Sequence, residues 1–211
     1  MKKYQGSRRE FIYMSVGGGL LAMSYPLVKV VSPSGGDGNS QQAFIPTPSN
    51  SLGPFYKKGA PRTDKLAGAG VAGVPLVVAG QVINTEGKPL PGAVVEVFHA
   101  DHHGNYDMEG FRYRGEIPMS AAGDYRYETI IPGQYGGRAQ HIHYMINAPG
   151  HRRLVTQLYF ANDPVFEGNP DKTYTKDSLV EHKELIRPVT VTNRNNASLS
   201  SVVFNICLEK A

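Results

Sequence analysis

From position 76 onward the chain runs as short stretches in which apolar and polar residues alternate, each closed by a cluster of Gly, Pro, Asn or Asp. Nowhere do apolar residues recur at a sustained helical spacing. A period of two belongs to strands, whose successive side chains point to opposite faces. The pattern predicts strands over 76–83, 93–99, 125–130, 141–147, 154–160, 188–192 and 202–208. Turn chemistry separates them. Glu86-Gly87-Lys88-Pro89 and Pro91-Gly92 follow the first, Ala122-Gly123-Asp124 precedes the third, and Pro132-Gly133 comes after it. Strands at this spacing predict an all-β chain, an antiparallel two-sheet β-sandwich with long loops. One short helix is expected within 175–185.

Length and composition agree with that pattern. The 211 residues are enough for one core, and 24 Gly with 15 Pro suit a folded chain rich in turns better than a helical bundle. The formal charge of +4 is concentrated at the start, where Lys2, Lys3, Arg8 and Arg9 face only Glu10. The remainder is close to neutral and has no basic stripe interleaved with aromatics, so nucleic-acid binding is set aside. Cys207 is the only cysteine, which excludes an intrachain disulfide and a cysteine-based zinc site. It falls in an alternating segment and is expected to be buried.

Ser7-Arg8-Arg9-Glu10-Phe11-Ile12 places paired arginines before a weakly apolar stretch diluted by Gly17, Gly18 and Gly19. This resembles a twin-arginine export signal, with a membrane anchor as the alternative for a stretch of nearly spanning length. The expected organisation is a signal or anchor over 1–31, a flexible Gly/Pro/Ser-rich tether over 32–51, and a β-sandwich domain over 52–211. The mature protein is expected to be periplasmic or extracellular.

Candidate chemistry centres on Gln140-His141-Ile142-His143. The strand period sends both imidazoles to one face, roughly 6–7 Å apart along the strand, where one metal ion could take both. Alone, such a pair also fits surface or hydrogen-bonded histidines. Tyr106 and Tyr135 both fall in turns, Gly104-Asn105-Tyr106 and Pro132-Gly133-Gln134-Tyr135-Gly136, where a rigid sheet displays ligand side chains. Tyr125, Tyr127 and Tyr144 are expected to cover the sandwich edge as amphipathic side chains. His99, His102 and His103 form a second cluster, expected on a solvated turn.

Beyond these pieces, an ordered series of segments resembles the intradiol ring-cleavage dioxygenases, the family of protocatechuate and catechol enzymes. It runs Gly53-Pro54-Phe55-Tyr56, Gly80, Gly87-Lys88-Pro89-Leu90-Pro91-Gly92-Ala93-Val94-Val95-Glu96-Val97-Phe98-His99-Ala100-Asp101, Gly104-Asn105-Tyr106 and Phe111-Arg112. It continues through Gly123-Asp124-Tyr125, Pro132-Gly133-Gln134-Tyr135, Arg138, His141-Ile142-His143 and Thr156-Gln157. The resemblance implies a non-haem ferric ion, Fe(3+), held by Tyr106, Tyr135, His141 and His143. It makes Arg138 the active-site arginine, Tyr135 a ligand that leaves the metal and takes a substrate proton, and Gln157 and Tyr56 pocket residues. The implied partners are a catechol-type aromatic and O2, the implied product a muconate-type diacid. Phenolate oxygens are hard anionic donors and suit a ferric ion. Only six positions separate Tyr135 from His141, fewer than in well-known members, so a more open pocket is expected. A homo-oligomer stays open as an expectation.

Two rival readings use the same residues. Gly87-Lys88-Pro89-Leu90-Pro91-Gly92-Ala93 with alternating valines also looks like the non-enzymatic sandwich modules attached to carboxypeptidases, which act in binding or spacing. An exported copper- or zinc-binding protein could use the histidines alone.

Overall fold

The computed structural model describes residues 43–68, 70–194 and 197–211. The signal or anchor at 1–31 and the first part of the tether lie outside the described residues. Two five-stranded sheets pack face to face. In the first, β1 (Pro75–Asn84) pairs antiparallel with β4 (Asp124–Ile130) on one side. Its other side takes β9 (Ala197–Val203) and β10 (Ile206–Leu208), both parallel, and β8 (Thr190–Arg194) lies beyond β9. The second sheet has the order β3-β2-β5-β6-β7, from Arg114–Ile117, Val94–Phe98, His141–Asn147, Leu154–Phe160 and Ile186–Arg187.

The expected sandwich is present and mostly antiparallel, the parallel exceptions being β1 with β9, β1 with β10, and β6 with β7. The single strand expected over 202–208 divides at Phe204 and Asn205, where the Asn205 side chain takes the Gln81 N–H that a continuous ladder would bond. The helix expected over 175–185 is absent there. A four-residue α1 (Pro170–Thr173) comes first, and turns of 3-10 helix over Tyr174–Lys176 and Lys183–Leu185 flank an extended Asp177, whose carboxylate is bonded elsewhere. Residues 43–51, expected as tether, are docked on the body. Phe44, Thr47 and Asn50 donate backbone N–H groups to Thr85, Cys207 and Val155 carbonyls at 2.8, 2.9 and 2.8 Å.

Alternation decides what fills the core. Val95 and Val97 of β2, Ile142, Tyr144 and Ile146 of β5, and Leu158 of β6 face Leu76, Val78 and Val82 of β1 in one buried cluster. Tyr125, Tyr127 and Tyr144, expected at the edge, are instead core residues with 3%, 0% and 0% exposure. Burial is tolerated because each phenol is bonded: Tyr127 to Tyr144 at 2.6 Å, and Tyr125 to the Phe204 carbonyl. Cys207 is buried and free, as expected, and burial pushes its thiol up to about 11. No helix among the described residues is long and apolar enough to cross a membrane.

Candidate metal centre

Strand β5 is central in its sheet and buried on both faces, so one face can serve the core and the other a site. Ile142, Tyr144 and Ile146 take the core side, which leaves His141 and His143 on the opposite face. Cross-strand register supplies their neighbours. Phe98, His143 and Gln157 form one row across β2, β5 and β6, and His141 stands opposite Tyr159. The Phe98 and His143 rings stack at 4.3 Å with planes 1° apart.

Tyr106 reaches this face from the loop after β2. Its Oη lies 3.2 Å from His141 Nε2 and 3.0 Å from His143 Nε2, and the two Nε2 atoms are 3.1 Å apart. His141 Nδ1 sits 2.6 Å from the Ala139 carbonyl and donates to it, which leaves the Nε2 lone pair turned inward. Burial pushes this imidazole down to about 4, against the pull of that carbonyl, and holds His143 well below its ordinary value, with His141 and Arg138 adding to the effect. Both rings are therefore neutral at pH 7. With His141 neutral and its proton on Nδ1, the three atoms share at most two protons, too few for a separate hydrogen bond along every edge. A cation at the centre removes that shortfall. Metal–donor bonds of about 2.0–2.2 Å meeting at right angles separate neighbouring donors by about 3 Å, which the triangle matches. The donor set fits a hard metal ion.

Burial holds the Tyr106 phenol well above its ordinary range, with the guanidiniums of Arg138 and Arg114 pulling the other way. A trivalent cation would reverse that balance. Among the described residues no group of three or more His, Cys, Asp or Glu is arranged to hold a metal, and the group that joins the two imidazoles here is the Tyr106 phenol.

Tyr135 is the outermost of the four expected ligands. Its ring meets Tyr106 edge-on at 5.6 Å and Phe55 at 4.9 Å, it is 41% exposed, and its hydroxyl makes no hydrogen bond among the described residues. Phe55 in turn stacks on Tyr106 at 4.1 Å. The two tyrosine loops touch because glycine lets them. A Cβ on Gly104, which has φ +86°, would come within 2.0 Å of the Gln134 carbonyl oxygen, and one on Gly133 within 2.5 Å of the His102 oxygen.

Arg138 points its guanidinium along the same wall. Nε donates to both Asp177 oxygens at 2.9 and 2.8 Å, and Nη2 donates to Gln157 Oε1 and Tyr159 Oη at 3.2 and 2.8 Å. Gln157 also donates to the Ser51 carbonyl at 2.6 Å, which fixes its amide. Tyr56 is not drawn into the centre: it packs on Phe98 and gives its hydroxyl to Glu96 at 3.0 Å. His99, expected on a solvated turn, is 1% exposed and bonded through both nitrogens, to Thr129 at 2.6 Å and the Ala100 carbonyl at 2.7 Å. The His102 and His103 rings lie 3.8 Å apart, tilted by 41°, outside the triangle, with His103 exposed.

Three supporting side chains carry no mark of their role in the sequence. Asp163, 1% exposed, takes the Gln134 amide at 2.8 Å and the Gln140 N–H, pinning both ends of the Tyr135 connection. Asp177 does the same for Arg138 and for the Ala139 N–H. Arg114, 2% exposed, donates to the Phe55 carbonyl at 2.6 Å and the Asp107 carbonyl at 2.8 Å and lies over the Phe98 ring, so it ties the 52–56 segment to the Tyr106 loop. Only Tyr159 had a usable signal, two positions from Gln157 on the same strand face.

Fold and site together define a β-sandwich with a mixed phenol–imidazole cluster on the outer face of one sheet. The chain belongs to the intradiol ring-cleavage dioxygenase family: a family model described as Dioxygenase matches residues 52–210. It is 35% identical over 144 residues to a catechol 1,2-dioxygenase from Acinetobacter lwoffii, covering 56% of this chain and 52% of that protein. With a hydroxyquinol 1,2-dioxygenase from Nocardioides simplex it shares 31% over 203 residues, 84% of this chain and 64% of that one. The chain thus spans between half and two thirds of these relatives. Among solved structures, the dioxygenase domain of a dioxygenase carbohydrate-binding protein fusion from Streptomyces sp. SirexAA-E superposes with a TM-score of 0.67 at 35% identity, covering 79% of this chain and all of that domain. Catechol 1,2 dioxygenase from Acinetobacter radioresistens gives 0.69 at 25% identity, over 79% and 63%.

Proposed function

We propose that this protein is an exported, ferric intradiol dioxygenase that inserts both atoms of O2 into a catechol-type aromatic and releases a muconate-type diacid. The triangle of Tyr106 Oη, His141 Nε2 and His143 Nε2, with mutual distances of 3.0–3.2 Å, carries this reading. The relatives named as catechol and hydroxyquinol 1,2-dioxygenases support the substrate class. Tyr106, His141 and His143 would hold the ion, with Tyr135 as the fourth ligand. When bound, the ferric ion supplies a template and Lewis acid for a catecholate.

The chain's own residues then have distinct work. His141, neutral with its Nε2 lone pair turned inward, is a ready donor, and burial keeps His143 beside it neutral. The Tyr135 ring stands at the exposed rim, and its Oη, ionised when it serves as a ligand, would accept a substrate proton and so return to the neutral phenol. Phe55, stacked on Tyr106, offers an aromatic wall beside the centre. Among the described residues nothing accepts from Arg138 Nη1, so its two hydrogens are left for negative charge developing on the ring while its other donors are committed. A binding or spacing module would gain nothing from two buried imidazoles meeting a phenol.

The test is turnover of iron-loaded full chain with catechols under isotopically labelled O2, read by product mass. The expected product is a diacid carrying two labelled atoms. Absence of oxygen uptake across a catechol panel, or one labelled atom per product, overturns the reading. The export route is tested by fractionation, where Arg8-Arg9→Lys-Lys should leave the protein in the cytoplasm; unchanged export removes the twin-arginine assignment.

A further inference from the structure

We propose that Asp177 is a positioning residue of this centre, acting through Arg138; the proposal rests on the dioxygenase reading for its kinetic consequence and on geometry alone for the contact itself. Asp177 lies in the irregular segment after β6, thirty-nine positions from its arginine, and its side chain is 1% exposed. A buried carboxylate is costly unless its oxygens are filled. Here they are: Oδ1 accepts Arg138 Nε at 2.9 Å and the Leu179 N–H at 3.0 Å, while Oδ2 accepts the same Nε at 2.8 Å and the Ala139 N–H at 2.9 Å.

The consequence is a fixed guanidinium plane. Asp177 takes the Nε hydrogen, and Gln157 with Tyr159 takes Nη2, so rotation about the end of the side chain would break bonds on both sides. The free Nη1 edge is therefore aimed rather than swept. The connection from Tyr135 to His141 is short, its turn closes with the Arg138 N–H on the Tyr135 carbonyl at 2.8 Å, and a Cβ on Gly136 or Gly137 would meet nothing within 4 Å among the described residues. The rigidity has to come from another part of the chain, and Asp177 provides it. The same carboxylate holds the Ala139 N–H, and Ala139 gives its carbonyl to His141 Nδ1, so the clamp also borders a metal ligand.

A merely structural acid and a positioning acid give different kinetics. In iron-loaded full chain, Asp177→Asn should keep its iron and its visible spectrum while kcat and kcat/KM fall together, on the order of 10–100-fold, as for other outer-shell partners. In an Arg138→Ala background the same change should cost no more than about twofold, because the group it positions is gone. Multiplying losses in the double variant, or full kcat in the single one, overturns the proposal. A second measurement covers a variant that fails to fold. In metal-free wild-type chain, the Arg138 Nε–H resonance should exchange slowly with water although the side chain is 19% exposed; exchange as fast as that of a surface arginine overturns the clamp. Wild-type protein that cleaves no catechol would sink the dioxygenase reading instead, and the Nε–H exchange would still decide the clamp.

Discussion

Tyr106 is the side chain on which the centre turns, because its oxygen meets both β5 imidazoles while its ring packs on Phe55 and Tyr135. Replacing it with Phe keeps the stack on Phe55 and removes only the oxygen. Ferric affinity of Tyr106→Phe should fall by more than about 100-fold, since losing even an outer-shell partner costs 10–100-fold; competition with a chelator checks this, and unchanged affinity would remove Tyr106 from the site. Tyr135→Phe should behave differently. Its ring is at the rim, so the variant should lose less ferric affinity than Tyr106→Phe while kcat drops by about 10²–10⁴-fold, the range for a lost acid–base group. Equal turnover in single-cycle kinetics would contradict that role. At this scale much was legible: the alternation around His141 and His143 dictated a shared face, and the family resemblance pointed to Gln157, which the strand register sets beside His143. Asp163 and Asp177 were not legible. Their partners lie 23 and 39 positions away, and an Asp in a loop of turn residues carries no mark of what it will bond. His99 was hidden for a similar reason, since its burial depends on Thr129 from the other sheet.

The elements supply precision that single side chains lack. Strand β5 fixes both imidazoles by backbone pairing on each side, whereas the tyrosines come from loops that must be pressed together. Gly104 is the pressing point. Gly104→Ala places a methyl on the Gln134 carbonyl and forces a left-handed φ on a non-glycine residue, so the loops must part. Displacements near 1 Å cost about 10²-fold in rate, and turnover of Gly104→Ala should fall by at least that much with the melting temperature only modestly lowered; activity close to wild type would show that loop contact is not needed. The long strands were readable because apolar residues alternate over seven or more positions. Strand β3 was not, since Arg-Gly-Glu-Ile offers no alternation and its buried arginine faces the site rather than water. The core tyrosines misled for the converse reason: a phenol looks amphipathic until a partner across the sandwich satisfies its hydroxyl.

For the molecule as a whole, burying three histidines sets a dependence on acid. Burial places His99 and His141 at about 4 and holds His143 well down. Unfolded imidazoles titrate near 6.5, so below that pH the unfolded chain binds protons that the folded chain refuses, and stability falls as pH drops toward 4. Each histidine contributes up to about 1.4 kcal/mol per pH unit in that window. Urea unfolding of metal-free protein between pH 7 and pH 5 should follow this slope, and His99→Gln should flatten it; an unchanged slope in the variant would contradict the assignment. The sandwich as a whole was legible from strand count and turns, while its mixed pairing was not, because β9 and β10 reach β1 only through long connections. The central claim is that a phenolate and two imidazoles converge on one ferric ion. Titrating the full chain with ferric iron and following visible absorbance tests it most directly. A tyrosinate-to-iron charge-transfer band saturating at one iron per chain, and diminished in Tyr106→Phe, is the expected result; no band, or a band indifferent to that substitution, would contradict the account.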